Sequence, residues 1–228
     1  MKHVYFDSAA TTVMREEVIT KMATVMQEYY GNPSSTHSFG RSAKSIIENS
    51  RKTIAKQFNV SASEIIFTSG GTEADNLVLR SAVRDLEVKT IITSKIEHHA
   101  VLHTIDQLKE EYNINVAYVN LDEKGNVDLK HLEQLLGVSN KTLVSLMHIN
   151  NEIGTILDLK RVAEMCKANN ALFHSDTVQS VGHYRLDLQE IPIDFLAVSA
   201  HKFHGPKGVG FAFIRKKSNL KALIFGGE

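Results

Sequence analysis

The sequence has a single cysteine, Cys166, which excludes an internal disulfide framework and a cysteine-rich zinc site. An excess of charge of one sign is also missing: 26 lysines and arginines balance 26 aspartates and glutamates, so no broad basic field indicates nucleic acid. Asp7 interrupts the first apolar stretch, and no later stretch has the length of a membrane span. These absences predict a cytoplasmic protein without nucleic-acid or membrane partners, and they favour small-molecule chemistry.

Linker-like composition is equally scarce, since the chain has only three prolines and no repeat or low-complexity segment. At 228 residues and 43% hydrophobic, the chain is long enough to bury one sizeable core. We therefore predict a single domain over residues 1–228, with a helical N-terminal segment over about residues 1–60.

Apolar, often β-branched runs alternate along the chain with segments of helical spacing. The runs predict seven buried strands, at 64–68, 90–93, 116–119, 143–146, 171–174, 195–198 and 210–214. The helical segments lie at 16–30, 42–58, 72–85, 101–112 and 159–169. Such alternation predicts an α/β fold, with a mostly parallel seven-stranded sheet covered by helices on both faces.

Polar side chains recur directly after the predicted strands, where ligand sites of parallel sheets form. Among them is a glycine-rich strand-to-helix turn, Ser69-Gly70-Gly71-Thr72. Exposed N–H groups at such a turn bind an anion such as phosphate; otherwise the turn is an ordinary one with Thr72 as N-cap. It lacks the lysine of a P-loop and the spacing of a dinucleotide fingerprint, which disfavours an NTPase or a dehydrogenase.

Three further residues after strands each have a chemical and a structural interpretation. Lys202 precedes a glycine–proline turn, and partial burial there would lower its amine pKa and favour Schiff-base chemistry; a solvated surface charge, as expected for Lys207, is the alternative. Asp176 either caps a helix over 177–181 or pairs with a protonated pyridine nitrogen. His98 is either a core histidine or a proton carrier stacked on a cofactor ring.

Two histidine pairs, His99 with His103 and His201 with His204, have spacings found in metal sites. Neither pair has a carboxylate or cysteine at convincing ligand spacing, so we predict no metal. Cys166 lies within an amphipathic helical pattern, which is typical of an inert structural thiol.

Six strings across the chain resemble, in order and spacing, the class V aminotransferase-like group of fold-type I pyridoxal-phosphate enzymes, and most closely the cysteine desulfurases. They are VYFDSAATT at 4–12, GNPSS at 31–35, FTSGGTEADN at 67–76, EH at 97–98, MHINNEIG at 147–154 and AHK at 200–202. The resemblance implies the large domain of that fold, pyridoxal 5'-phosphate as cofactor, L-cysteine as substrate, and a homodimer that serves a sulfur-acceptor or scaffold protein.

The resemblance also implies a role for each matching residue. Lys202 would bind the cofactor covalently, and His98 would stack on its ring and assist proton transfer. Asp176 would pair with the ring nitrogen. The ring's phenolic oxygen would contact Asn151 and Gln179, and the phosphate would contact Gly71, Thr72, Ser199 and His201. Substrate would meet Asn32 at the entrance and Asn151 beside the ring.

Members of that family continue into a small C-terminal domain with a loop that carries a nucleophilic cysteine and an arginine for the substrate carboxylate. Neither has a counterpart in these 228 residues, so we expect this chain to be inactive by itself in sulfur transfer. Three interpretations follow: a portion of a cysteine desulfurase for iron–sulfur cluster or thio-cofactor assembly, a related lyase such as selenocysteine lyase, or a non-enzymatic binding or scaffold relic.

Overall fold

The computed structural model describes residues 3–138 and 140–226. Its seven strands are β1 Ile65–Thr68, β2 Thr90–Thr93, β3 Asn115–Tyr118, β4 Thr142–Ser145, β5 Leu172–Asp176, β6 Phe195–Ser199 and β7 Gly210–Ile214. Its six α-helices are α1 Glu16–Glu28, α2 Ser38–Gln57, α3 Gly71–Asp85, α4 His99–Tyr112, α5 Leu129–Val138 and α6 Leu159–Ala168. Short 3₁₀ turns lie at Ala62–Glu64, Ala200–Lys202 and Lys216–Ser218.

The strands form one sheet in the order β1-β7-β6-β5-β4-β2-β3. β7 runs antiparallel to both of its neighbours, and the pairs from β6 to β3 are all parallel. The predicted mostly parallel, seven-stranded sheet is therefore confirmed. Parallel neighbours bring the carboxyl ends of β2 to β6 to one edge, and that edge is where ligand sites form in such sheets.

Successive side chains of the strands enter two separate cores, because residues of a strand alternate between the faces of a sheet. Ile92, Val144 and Phe173 pack on one face with residues of α2, α5 and α6. Ile91 and Leu143 pack on the opposite face with residues of α3 and α4. Helices thus cover both faces, as the continuous apolar runs predicted.

The structure differs from the sequence interpretation in four local details. No helix follows Asp176, which is the last residue of β5, and residues 177–184 form turns and an isolated bridge instead. Thr72 is not an N-cap: α3 begins at Gly71, with Gly70 in the cap position. The sequence interpretation omitted α5, although Asp128 accepts the N–H groups of Lys130 and His131 as an N-cap does. Several strand bounds move by one or two residues.

The two helices predicted before the sheet are present, but they are packed differently. α2 buries Ala43 and Ala55, whereas α1 has no buried residue. No helix in 3–138 or 140–226 has the length and apolar character needed to cross a membrane.

Candidate active site

A cavity of about 470 Å³ lies at the carboxyl end of the parallel strands. Its volume falls within the roughly 300–1,000 Å³ of typical small-molecule sites. Of the ten residues to which the family resemblance assigns a role, nine line it: Gly71, Thr72, His98, Asn151, Asp176, Gln179, Ser199, His201 and Lys202. Residues separated by up to 131 positions thus meet in one place, as the strand-end pattern predicted.

One wall of the cavity is the N-terminus of α3. The first N–H groups of a helix have no intrahelical acceptor, and the helix dipole favours an anion there. Gly71 has little room for a side chain, because an added Cβ would lie 2.6 Å from Cγ2 of Val178. Thr72 and the buried Ser199 line the cavity beside it. This wall fits a phosphate group held by backbone N–H groups and hydroxyls.

Lys202 is partly buried in the 3₁₀ turn that follows β6. Its Nζ donates to the carbonyl of Ala9, and Nε2 of Gln179 donates to the same carbonyl at 2.8 Å. Burial lowers the pKa of Lys202, and the nearby carboxylates of Asp176 and Asp7 partly offset that effect. A lysine amine with a lowered pKa is suited to nucleophilic attack on a carbonyl.

Asp176 lies in the floor of the cavity with 6% of its surface exposed. Its Oδ1 accepts the N–H of Val178 at 2.9 Å, so the carboxylate holds the turn that follows β5. Burial raises its pKa to about 7, and Asp75 adds to the shift. Within 3–138 and 140–226 it forms no ion pair with any lysine, arginine or histidine. A buried carboxylate without a cationic partner fits a cationic ring nitrogen of a ligand.

His98 is the N-cap residue of α4, and its Nδ1 accepts the N–H of Ala100 at 3.1 Å. That bond places the proton of the neutral ring on Nε2. Nδ2 of Asn151 donates to the carboxylate of Glu152 at 2.6 Å. Both residues line the cavity, and His98 is exposed to solvent.

His201 connects the cavity to the N-terminal segment. Its carbonyl accepts both the N–H and the hydroxyl of Thr12 at 2.8 Å, and its Nδ1 lies 3.1 Å from Oγ1 of Thr11. Burial lowers the pKa of His201, and the positive charges of Lys202 and Lys207 add to the shift. A neutral His201 can still donate one hydrogen bond to an anion in the cavity.

Asn32 is not among the residues that line the cavity. Its side chain accepts the N–H of Ser34 at 3.0 Å in the turn between α1 and α2, so its substrate role stays a prediction.

Sequence reasoning assigned no role to Asp7, Ala9, Ala10 or Asp75, which do line the cavity. The burial of Asp75 could have been predicted from the sequence. Asp75 lies three and four positions before Val78 and Leu79, and this spacing places it on the buried face of α3.

Cys166 is 1% exposed, and burial raises the pKa of its thiol to about 12, so the predicted inert thiol matches the structure.

The centroids of the His99 and His103 rings, one of the two histidine pairs with metal-site spacing, lie 5.0 Å apart. Across residues 3–138 and 140–226, no three histidine, cysteine or acidic side chains form a metal-binding group.

A second cavity, of about 610 Å³, lies between β1, α3 and residues 214–224. It is the larger of the two, but its walls are mainly apolar and contain none of the predicted site residues. We locate the chemistry in the first cavity, because the convergent polar groups and the shifted pKa values are there.

The fold and this cavity define a class of protein that comparison with known proteins identifies. The aminotransferase class V family model matches residues 4–228, and the chain belongs to that family. The cysteine desulfurase IscS of Dictyoglomus turgidum is 44% identical over 229 residues, which cover 100% of this chain and 58% of that protein. The chain therefore spans less than two thirds of this curated relative.

Solved structures agree with this assignment. A NifS-like protein superimposes with a TM-score of 0.94 at 43% identity, covering 99% of this chain and 63% of the other. The structure of SspA in complex with cysteine superimposes with a TM-score of 0.91 at 33% identity, covering 98% of this chain and 65% of the other. The resemblance seen in the sequence and the fold that it implied are thus confirmed.

Proposed function

We propose that this chain is the cofactor-binding portion of a pyridoxal-phosphate-dependent cysteine desulfurase. The observation that carries the proposal is Asp176, a buried carboxylate that forms no ion pair within the part of the chain that the structure describes, in the same cavity as Lys202 and the N-terminus of α3. One cavity therefore offers a partner for a ring nitrogen, an amine for a carbonyl and a site for a phosphate. These are the three groups that distinguish pyridoxal phosphate among cofactors.

Each residue would have one task toward the cofactor. Lys202 would hold it covalently, and Asp176 would hold the proton on its ring nitrogen. Gly71, Thr72, Ser199 and His201 would bind the phosphate, and Asn151 and Gln179 would contact the ring oxygen. The bound cofactor supplies an electron sink for bonds at the Cα of an amino acid.

His98 would serve as the proton carrier of the site. Its Nδ1 is occupied by the N–H of Ala100, so the ring can exchange a proton with a ligand only through Nε2. His98 also lines the cavity and is exposed, so it can exchange that proton with solvent. The N-cap bond thus fixes both the tautomer and the orientation of this histidine.

L-cysteine is the proposed substrate, with sulfur passing to an acceptor or scaffold protein for iron–sulfur cluster or thio-cofactor assembly. Support comes from the desulfurase name of the 44%-identical relative and from the cysteine complex of SspA.

We further propose a cytoplasmic location, because the single buried Cys166 forms no disulfide. We also propose that residues 1–228 form one cofactor-binding domain.

A homodimer is also proposed. Exposed apolar side chains cluster in the N-terminal segment, where Phe6 is 93% exposed, and ring stacking joins the exposed Tyr30 to Phe39. Extended apolar surface of this kind is typical of interfaces. Sedimentation equilibrium tests the proposal: a dimer mass supports it, and a monomer at all concentrations contradicts it.

Absorption titration with pyridoxal phosphate tests cofactor binding. The wild-type chain should develop the visible band of protein-bound cofactor, and Lys202→Ala should abolish it. Lys207→Ala is the matched control, because Lys207 is exposed five residues away and outside the cavity lining, and it should retain the band. A wild-type band in Lys202→Ala would contradict the proposal.

Sulfide release tests the expected inactivity of the chain by itself. Its sole thiol, Cys166, is buried with a pKa of about 12, so it is a poor nucleophile near neutral pH. With pyridoxal phosphate, L-cysteine and a reductant, we expect no sustained sulfide production. Sustained turnover by the 228-residue chain would contradict this part of the proposal.

A further inference from the structure

Behind the cavity, two ionisable side chains face each other with almost no access to solvent. Asp75 of α3 is 1% exposed, and His174 of β5 is 0% exposed. His174 lies two residues before Asp176, so both side chains point to the same face of the sheet. α3 packs on that face, and Asp75 also lines the cavity. The pair therefore lies next to the carboxylate that carries the proposed function.

The contacts of His174 are few and directional. Its Nε2 lies 3.3 Å from Oδ1 of Asp75, and its Nδ1 lies 2.9 Å from Oγ of the buried Ser145. Neither Nε2 of His174 nor Oδ1 of Asp75 makes a well-directed hydrogen bond to any other described residue. Among the described residues, the 3.3 Å approach is the one polar contact recorded for these two atoms, and buried polar atoms require such a partner.

Electrostatics decides where the shared proton resides. Burial raises the pKa of Asp75 well above its ordinary value and lowers the pKa of His174 to about 4. Two neighbouring buried carboxyl groups cannot both ionise at low cost, and Asp75 raises the pKa of Asp176. If Asp75 holds its proton, its O–H can donate to Nε2 of His174, whose own proton is then on Nδ1 and donates to Ser145.

We propose that Asp75 is a positioning residue whose neutral carboxyl donates to His174, so that Asp176 is left as the carboxylate that carries the negative charge of the cavity floor. This proposal rests on the proposed function for the role of Asp176. The charge assignment itself concerns the protein without cofactor. It extends the site by three buried residues, Asp75, His174 and Ser145, whose polar side-chain atoms lie in one line of contacts.

Other titratable groups near this chain do not supply a cation that would stabilise an ionised Asp75. Glu97 is buried, accepts hydrogen bonds from Ser94 and from the N–H of Met147, and has its pKa raised to about 8 by burial. Asp176 is itself acidic. The ammonium group of Lys202 interacts electrostatically with Asp176 and Asp7.

The first test uses the cofactor-free chain labelled with ¹⁵N-histidine and compares ring nitrogen shifts at neutral pH. His174, assigned by its loss in His174→Gln, should show a protonated Nδ1 and an unprotonated Nε2. Asp75→Asn should retain that tautomer, because an amide N–H can still donate to Nε2. Asp75→Ala removes the donor to Nε2, so His174 should no longer show this tautomer. A protonated Nε2 in the wild-type chain overturns the proposal.

The second test measures the affinity for pyridoxal phosphate in variants whose melting temperatures confirm folding. Asp75→Asn should bind within about threefold of wild type, whereas Asp176→Asn should bind at least about tenfold more weakly. Weakening by Asp75→Asn as large as that by Asp176→Asn would overturn the proposal. If wild type fails to bind the cofactor, the proposed function fails, and the histidine tautomer still decides the charge of Asp75.

Discussion

The N-terminal segment, residues 3–37, and the sheet contribute to the same cavity but are held in different ways. Strands β4 and β6 are buried along their whole length. The N-terminal segment instead exposes Phe6 and Val13, and its helix α1 buries no residue. Three of its residues, Asp7, Ala9 and Ala10, nevertheless line the cavity. The cavity therefore has a floor fixed by apolar packing and a rim fixed mainly by hydrogen bonds.

This difference shows which properties depend on which region. Substitutions in the sheet should change global stability, because they remove buried apolar contacts. Substitutions in the rim should change ligand affinity more than stability, because regions with few buried contacts open locally at low cost.

The largest expected effect is on the free energy of unfolding. Phe173→Ala in β5 removes a ring with 0% exposure and should cost about 3–5 kcal/mol. Ile19→Ala in α1, where the side chain is 52% exposed, should change stability by less than about 1 kcal/mol. Urea unfolding of both variants measures the contrast. Equal losses would show that the two regions are not packed differently.

The next expected effect is the pH dependence of folding stability that the buried carboxyl groups near the cavity cause. Glu97, with its pKa raised to about 8, keeps a proton in the folded chain that the unfolded chain has released. Asp176, with its pKa raised to about 7, is partly protonated at pH 6.5 and becomes a carboxylate as the pH rises. His148 and His174, with pKa values lowered to about 4, are neutral in both states above pH 6.5. Stability of the cofactor-free chain should therefore fall between about pH 6.5 and 8, by on the order of 1 kcal/mol per pH unit.

Glu97→Gln should flatten that slope and keep the fold, because an amide can accept from Met147 and donate to Ser94. Urea unfolding at a series of pH values provides the measurement. A stability that rises from pH 6.5 to 8 would contradict the assigned pKa shifts.

A smaller effect is expected at the attachment of the rim. The Thr12 hydroxyl donates to the carbonyl of His201 and accepts the N–H of His204 at 2.7 Å. Thr12→Val removes both bonds and should cost about 1–2 kcal/mol locally, which weakens pyridoxal-phosphate binding by about fivefold or more. Thr24→Val in α1 is the control. Unchanged affinity in Thr12→Val would show that the rim does not depend on this attachment.

The smallest effect is expected at Cys166. A thiol reagent should label it only at the rate of unfolding, because the side chain is 1% exposed and its pKa is about 12. Mass spectrometry of native and urea-unfolded protein measures the labelling. Rapid labelling of the native chain would contradict the buried position of α6.

The sequence sufficed to predict the sheet because its parallel strands are buried on both faces and appear as continuous apolar runs. It sufficed for most of the cavity because polar residues at strand ends must meet at one edge. It did not reveal the contribution of Ala9, which acts through its backbone carbonyl, to which Lys202 and Gln179 donate. A main-chain acceptor has no sequence signature.

Asp75 and His174 were missed for another reason. Asp75 lies in a segment interpreted as helical and His174 in one interpreted as a buried strand, and their pairing depends on how α3 packs on β5. Polar residues at apolar positions were the available signal. The alternative of a helix capped by Asp176 is wrong, since an aspartate that accepts a nearby backbone N–H, here that of Val178, occurs in turns as well as at N-caps.

The most direct test of the central claim is to locate the cofactor on the chain. Pyridoxal phosphate is added to the 228-residue protein, the linkage is fixed with borohydride, and digested peptides are analysed by mass spectrometry. We expect one modified lysine, Lys202, and modification that Asp176→Asn reduces. Modification centred on Lys207, or scattered over exposed lysines, would contradict the proposed site.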